Sequence, residues 1–364
     1  MTNEQITIAV LGTGRISHSH LRAISKIQSD NRIGAPIKSM VVGRNLEKVA
    51  ALAKEFGAEP FQGDWKQAVR EESVTLVDNC LTNAMHYEVL MEAVENGKHC
   101  LTDKPLAINV QQGRDLLEAA EKKKVHHNII QNMRYEPGVL GAKHVLEEGN
   151  PGRILHTRGL FGYRVGTRVE NRPAWFYQRA YAGGGVVLDL MSHFFDLYEM
   201  LLGPVESITC TKSTAYPVRE DASGNSFTCD IEDVACVLCD FENGALGESF
   251  LSWARRKHED EVPCFEIDAE NLSLRFSFHR LEIERDGDVK EFRFDPNADP
   301  WTEPKWAELG IEHVDPFELQ IENVIRAIAQ DKPCRPDWHD GLRALELIDA
   351  AYRSSEEGKT IQVQ

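Results

Sequence analysis

The stretch Ile6–Ile27, ITIAVLGTGRISHSHLRAISKI, decides the fold. Ile6 to Leu11 is a nearly continuous apolar run, the pattern of a parallel strand buried on both faces. It passes straight into Gly12-Thr13-Gly14-Arg15-Ile16-Ser17, and HSHLRAISKI beyond it is helix-like. Strand, glycine turn and helix in that order are the context in which G-x-G-x-x-G points to a dinucleotide. Gly12 permits the tight turn, and Gly14 lets a pyrophosphate approach the helix N-terminus. Ser17 replaces the third glycine and is small enough for the helix to pack on the strand.

Working outward, Ile37 to Val42 reads as the second strand, followed by Gly43-Arg44-Asn45 and the helix EKVAALAKEF. An NAD site usually has a carboxylate at this strand end for the ribose 2′-hydroxyl. Here Gly43 stands in that place, and Arg44 could meet a 2′-phosphate, which leans the cofactor towards NADP. Arg44 could equally stack on adenine in an NAD enzyme, so NAD and NADP both stay open. Strand and helix patterns then alternate: strands at Val74 to Cys80, His99 to Thr102 and His127 to Gln131, helices at Met85 to Asn96 and Val110 to Lys122. Such alternation implies right-handed crossovers and a doubly wound parallel sheet. Two loops at strand carboxyl ends, where ligands bind in such sheets, carry polar residues: Thr82-Asn83 and Asp103-Lys104-Pro105. Pro105 biases Lys104 towards extended backbone, and a lysine held there could donate to a substrate oxygen.

At 364 residues, two domains are expected. A net charge of -17, from 41 basic against 58 acidic residues, argues against nucleic acid and anionic membrane as partners. No run approaches the length of a membrane span, and MTNEQITIAVLG reads as a first strand rather than a signal peptide. Eight cysteines show no framework spacing. Cys236 and Cys239 lie three apart in a strand-like run and so on opposite faces, so neither a metal nor a disulfide is expected there. Reduced thiols in a cytoplasm are the simplest reading.

After Glu148-Gly149-Asn150-Pro151-Gly152 the character changes. Strand-like runs follow without intervening helices: Ile154 to Tyr163, Val205 to Ser213, Asp230 to Phe241, Ala245 to Trp253, Cys264 to Ala269, Leu272 to Phe278, Leu281 to Arg285 and Asp288 to Phe294. They imply a large, mostly antiparallel sheet in an α+β domain. Asp286-Gly287 is a hairpin signal. The helices of Pro316 to Gln330 and Gly341 to Glu356 are expected to return to the first domain. Within this half, GGGVVLDLMSHFFD (Gly183 to Asp196) joins a glycine run to an aspartate and, four residues on, a histidine. If a helix starts near Val187, Asp189 and His193 share one face and can hold a hydroxyl and take its proton. The glycines suggest close approach of the backbone to something flat, or a turn with positive φ. Arg158, Arg164, Arg168, Arg172 and Arg179 are interleaved with Tyr163, Trp175, Phe176 and Tyr177. Either they bind an anionic or acidic sugar, or they pair with the chain's own carboxylates and the cofactor.

The chain resembles the glucose–fructose oxidoreductase/inositol dehydrogenase/rhizopine-catabolism (Gfo/Idh/MocA) family over essentially its whole length. The likeness rests on GTGRISHSH (Gly12 to His20), LTNAMHYEVLMEAVENGKHCLTDKPLA (Leu81 to Ala107), NMRYEP (Asn132 to Pro137), GGGVVLDLMSH and the tail DGLRALELIDAAYRSSEEGKTI (Asp340 to Ile361). DKPLA is similar to the family's E-K-P motif with Asp103 for Glu. LDLMSH is similar to its D-x-G-x-H motif with Met191 for glycine, which implies an altered pocket or ring contact there.

The resemblance implies Lys104, Asp189 and His193 as the catalytic set. Cofactor contacts are implied from Gly12, Gly14, Arg15, Ile16, Arg44, Thr82, Asn83, His86, Asp103 and Lys104. The expected substrate contacts are Lys104, Tyr163, Arg172, Trp175, Asp189 and His193, with no metal. It further implies a Rossmann domain over residues 1–150, joined by helices from about 314–364, and a substrate and oligomerisation domain over 151–313. A homodimer or homotetramer through the outer face of the second sheet is expected. The implied activity is NAD(P)-dependent dehydrogenation of a sugar, sugar derivative or cyclitol. Gly183–Gly185 are then expected to bring backbone close to the nicotinamide. Two alternatives share the fold: an NAD-dependent glycosidase acting by transient oxidation and elimination, and a non-catalytic dinucleotide sensor, against which the joint presence of Lys104, Asp189 and His193 speaks.

Overall fold

The computed structural model describes residues 5–169, 172–256, 262–294, 304–311 and 315–363. The chain forms two compact units, Met1–Asn132 with Val314–Leu345, and Met133–His313 with Glu346–Gln364.

The first unit runs β1 (Ile6–Leu11), α1 (Arg15–Ser29), β2 (Ile37–Val42), α2 (Leu46–Phe56), β3 (Glu59–Pro60), α3 (Trp65–Arg70), β4 (Leu76–Asn79), α4 (His86–Glu95), β5 (His99–Thr102), α5 (Val110–Lys123) and β6 (His127–Ile129). The strands form one parallel sheet in the order β3-β2-β1-β4-β5-β6. The order reverses between β1 and β4, so the switch point where such sheets bind ligands lies at the carboxyl ends of those two strands. Every residue of β1 is buried, as its apolar run requires. Asn45, Asp64 and Asn109 cap α2, α3 and α5 by accepting from the third residue onward. The strand β3 and the short helix α3 are additions to the alternation read from sequence; β3 has only two residues, too few for a periodic signal.

The second unit begins with α6 (Pro137–Glu148) and continues through β7 (Ile154–Gly162), α7 (Arg179–Ala182), α8 (Val186–Asp189), α9 (Met191–Leu202), β8 (Val205–Ser213), β9 (Val218–Glu220), β10 (Ser226–Thr228), β11 (Val234–Phe241), β12 (Leu246–Ser252), β13 (Cys264–Ala269), β14 (Ser273–Phe276), β15 (Arg280–Arg285) and β16 (Asp288–Arg293). Its sheet has nine strands in the order β16-β15-β14-β13-β7-β12-β11-β8-β17, where β17 is Ile361–Gln362. The pairings are antiparallel except β7 with β12. Asp286 and Gly287 both have positive φ (50° and 86°), the two-residue turn that matches the twist of a hairpin. A small hairpin, β9 with β10, lies outside the strands read from sequence. The run Asp230 to Phe241 yields a strand only from Val234, because residues 230–233 have their carboxylates engaged elsewhere.

The helix α10 (Pro316–Gln330), capped by Asp315, packs on α1 in the first unit's core through Ile321, Val324 and Ile325. The helix α11 (Trp338–Glu357) is divided between the units at Leu345/Glu346. The division at Asn132/Met133 precedes the change of character near residue 150 by one helix. That helix, α6, packs on β14 and β15, and Gly138 N donates to Phe278 O (2.9 Å).

Candidate active site

In the first unit the glycine turn is built from both sides. Gly12 has φ of +121°, and a methyl group on it would lie 2.8 Å from Cys80 O and 2.9 Å from Ser17 Oγ. Glycine is therefore required, and Ser17, fully buried, fills the space that the third glycine of the motif would leave. Gly14 is different: it is the N-cap of α1, no side chain caps that helix, and nothing lies within 4 Å of where its methyl would be. The turn thus leaves an open cradle at an uncapped helix N-terminus, which fits a dinucleotide pyrophosphate. Arg15 is exposed and Ile16 half-buried beside it. At the end of β2, a methyl on Gly43 would lie 2.7 Å from Thr13 Cγ2 and 3.2 Å from Val49 Cγ2. The side chain of Thr13 takes the space that a side chain at position 43 would need, and Arg44 next to it is exposed.

Beneath the turn lies a cluster that the sequence did not reveal. His20 Nδ1 is 2.9 Å from both oxygens of Asp78, and Cys80 Sγ is 3.3 Å from the same nitrogen. Burial pulls the His20 pKa down, but the charge and hydrogen bond of Asp78 outweigh it and raise it. Burial and the Asp78 charge push the Cys80 thiol well up, so it is not a nucleophile. These three ligand-type atoms lie within 4.8 Å of one another, with His20 Nδ1 hydrogen-bonded to the carboxylate. The trio is a brace between α1 and β4. His20 falls three residues after Ser17 on the buried face of α1, the one signal that could have found it.

Thr82 and Asn83 lie half-buried just beyond β4, and Asp103 and Lys104 just beyond β5, so both pairs share the edge that carries the glycine turn. Asp103 turns its carboxylate back on its own loop, where Oδ1 accepts from Lys104 N (2.9 Å). The Lys104–Pro105 peptide is cis. His86 lies behind these loops. It is fully buried, with Nδ1 donating to Pro105 O (2.7 Å) and Nε2 3.2 Å from Leu81 O. Burial holds its pKa below the ordinary imidazole value. The ring ties the Leu81 loop to the Lys104-Pro105 turn from behind.

In the second unit Asp189 closes α8 and His193 lies in the first turn of α9. The expected single helix is broken at Leu190, whose carbonyl accepts from His193 N (3.2 Å). Ser192 Oγ donates to Asp189 O (3.1 Å) across the break. Arg172 Nη1 lies 3.6 Å from Asp189 Oδ2, and its guanidinium sits over Phe176 (4.3 Å), Trp253 (5.6 Å) and Tyr163 (5.7 Å). Trp175 packs edge-on against Phe176. An arginine in an aromatic cage beside a carboxylate is held by stacking and by charge together. Met191 is fully buried.

The glycine run contains the turn with positive φ that the sequence allowed, and its backbone approaches the chain's own atoms closely. Gly183 has φ of +86°, while methyl groups on Gly184 and Gly185 would collide with the Tyr352 hydroxyl and the Glu232 carbonyl. The chain's own atoms occupy that space. Of the other arginines, Arg158 pairs with Glu248 (2.8 Å) and Arg179 with Glu232 (3.8 Å). Arg164 and Arg168 form backbone bridges to Ala254 and Glu220.

A doubly wound sheet with an open glycine cradle at its switch point, followed by a nine-stranded sheet that carries an Asp/His turn, defines a dinucleotide-dependent oxidoreductase. Residues 6–129 match the family described as oxidoreductase family, NAD-binding Rossmann fold, and residues 139–275 match the GFO/IDH/MocA C-terminal domain. The chain belongs to the GFO/IDH/MocA family of NAD-binding oxidoreductases. It is similar to a levoglucosan dehydrogenase of Pseudarthrobacter phenanthrenivorans, 25% identical over 99% of this chain and 98% of that protein. A D-xylose dehydrogenase of Paenarthrobacter nicotinovorans is 25% identical over 98% and 97%, and an inositol 2-dehydrogenase of Rhizobium meliloti is 22% identical over 98% and 99%. The fold is that of a solved levoglucosan dehydrogenase in complex with NADH and levoglucosan: TM-score 0.87 at 24% identity, covering 99% of this chain and 100% of that one. Among the described residues, no helix is long and apolar enough to cross a membrane.

Proposed function

We propose that the protein oxidises a hydroxyl of a neutral sugar or cyclitol, with His193 as the base. The relatives named for levoglucosan, D-xylose and inositol support the substrate class. The observation that carries the neutral reading is the pairing of Arg172 with Asp189 inside its aromatic cage. A guanidinium matched by a carboxylate and three rings is ready to hold hydroxyls in place, while an acidic sugar would have to displace Asp189 from it.

Gly12, Gly14, Arg15, Ile16, Thr82, Asn83 and Asp103 hold the dinucleotide, with His86 bracing their loops, and Arg44 favours NADP where a 2′-phosphate is present. The bound nicotinamide supplies a hydride acceptor. His193 takes the hydroxyl proton, a task for which imidazole suits neutral pH. Lys104 donates to the same oxygen and supports its developing charge. Asp189 orients the hydroxyl, and Tyr163 and Trp175 offer faces to the sugar ring. The first unit with its C-terminal helix is the cofactor domain and the second the substrate domain.

Leu238, Leu246 and Phe250, exposed on one face of the second sheet, support a homodimer or homotetramer through that face. Eight free cysteines support a reducing cytoplasm. The test is a panel of neutral sugars, sugar acids and cyclitols with NAD and with NADP. Nicotinamide reduction by neutral members is expected. Turnover of sugar acids alone would overturn the neutral assignment, and glycoside cleavage without net reduction would replace dehydrogenation by redox-assisted cleavage.

A further inference from the structure

The segment Asp230–Asp233 leaves the ladder and presents carboxylates to backbone amides. Asp230 accepts from Arg179 N (2.7 Å), and Asp233 from Ala215 N (2.6 Å) and Tyr216 N (3.1 Å). Between them Glu232, only 3% exposed, reaches the turn that carries Asp189. Its Oε1 accepts from Gly185 N (2.9 Å), Val187 N (3.2 Å) and the Tyr352 hydroxyl (2.7 Å), and its carbonyl accepts from Val186 N (3.1 Å). The helix α8 has only four residues and no cap from its own sequence. A helix that short has no stability of its own, and its first amides need acceptors. Glu232 supplies them with a charged acceptor at the positive end of the helix. Arg179 Nη2, 3.8 Å from Oε2, balances the charge, and Gly184 and Gly185 make the room. Burial and the neighbouring Glu232 raise the Tyr352 pKa well up, which keeps its hydroxyl a donor.

We propose that Glu232, supported by Tyr352, is a positioning residue for the reaction. It fixes the turn Gly185–Asp189, and through Leu190 the start of α9, so that Asp189 and His193 keep one working geometry. The proposal rests on the reading of Asp189 and His193 given above. Misplacing a reacting group by about 1 Å costs on the order of 100-fold in rate, which is the effect expected here.

The test uses the full-length enzyme and four variants: Glu232→Ala, Glu232→Gln, Tyr352→Phe and His193→Ala. Readouts are kcat and KM with NAD and the best sugar of the panel, NADH binding by fluorescence, and hydrogen exchange of the 183–193 peptide. Glu232→Ala should lower kcat about 100-fold while NADH affinity stays within about twofold, with faster exchange over 183–193. Glu232→Gln keeps an acceptor oxygen and should recover activity to within about tenfold of the parent. Tyr352→Phe removes one donor and should cost roughly threefold to tenfold in kcat, again with faster exchange in that peptide. A Glu232→Ala enzyme with parental kcat, or one that loses NADH binding in step with kcat, overturns the proposal. So does Glu232→Gln as impaired as Glu232→Ala. Should Glu232→Ala not fold, unchanged rate and exchange in Tyr352→Phe overturn it by themselves. If His193→Ala keeps its rate, the reading of the site fails; if His193→Ala is inactive and the Glu232 and Tyr352 variants are unaffected, this inference alone fails.

Discussion

The Gly12–Ser17 turn and the Gly183–Gly185 run use glycine in opposite ways. In the first, Gly12 is pressed against Cys80 and Ser17, while Gly14 faces space in which nothing lies within 4 Å. In the second, the room that Gly184 and Gly185 leave is taken by Tyr352 and Glu232 of the same chain. The first turn is open and fits a ligand; the second is filled by the chain's own atoms. A glycine run beside catalytic-type residues therefore marks close approach, and only the structure says what approaches.

The largest expected effect separates the two. Gly185→Ala should destabilise the protein by about 3 kcal/mol or more, because the new methyl meets a backbone carbonyl that cannot swing away. Gly14→Ala, at φ of -89°, should leave the thermal midpoint nearly unchanged. It should instead weaken NADH binding by roughly tenfold by filling the cradle. A large stability loss in Gly14→Ala, or none in Gly185→Ala, breaks the contrast.

Next in size is Arg172→Lys, which keeps the charge and loses the planar group stacked between the rings. The KM for the sugar should rise by about tenfold while NADH affinity holds. An unchanged KM would remove Arg172 from the sugar site.

The cofactor unit carries its own signature in pH. Burial holds His86 and His127 below the ordinary imidazole value, and burial with the charge of His126 takes His99 to about 4. The unfolded chain takes up these protons near pH 6.5, so stability is lost as pH falls from there towards about 4. His20 works the other way, since its raised pKa favours the fold below about 6.5 and that contribution fades as pH rises through the folded value. With three groups against one, the thermal midpoint should fall between about pH 7 and pH 5, and His99→Gln should flatten the fall. A midpoint that rises on acidification contradicts this balance.

The smallest effect concerns the ribose. Arg44→Ala should weaken NADP binding by about tenfold and NAD binding by less than about twofold. Equal losses would show that Arg44 stacks on adenine rather than reading a phosphate.

Much of this was legible in the letters. ITIAVL followed by GTGRIS defines the first sheet because a buried parallel strand and a glycine turn each leave a local mark. The alternation of VACVLCDF and CFEIDA does the same for the second sheet, as does the Asp286-Gly287 hairpin. What stayed hidden was long-range. Nothing near Gly184 announces Tyr352, and nothing near Thr13 announces Gly43. The acids of Asp230–Asp233 read as an extension of a strand because period-two alternation does not say whether a carboxylate faces water or an amide far along the chain. Met191, where the family motif has glycine, is fully buried, which the letters alone do not say. His86 has both ring nitrogens against carbonyl oxygens, contacts that its sequence neighbours do not announce.

The most direct test of the central claim is His193→Ala, assayed for turnover of the best neutral sugar and for NADH affinity in the same preparation. Loss of the proton acceptor should lower kcat by about 100-fold to 10,000-fold with NADH affinity unchanged. A variant that turns over at the parental rate would contradict the assignment of His193 as the base.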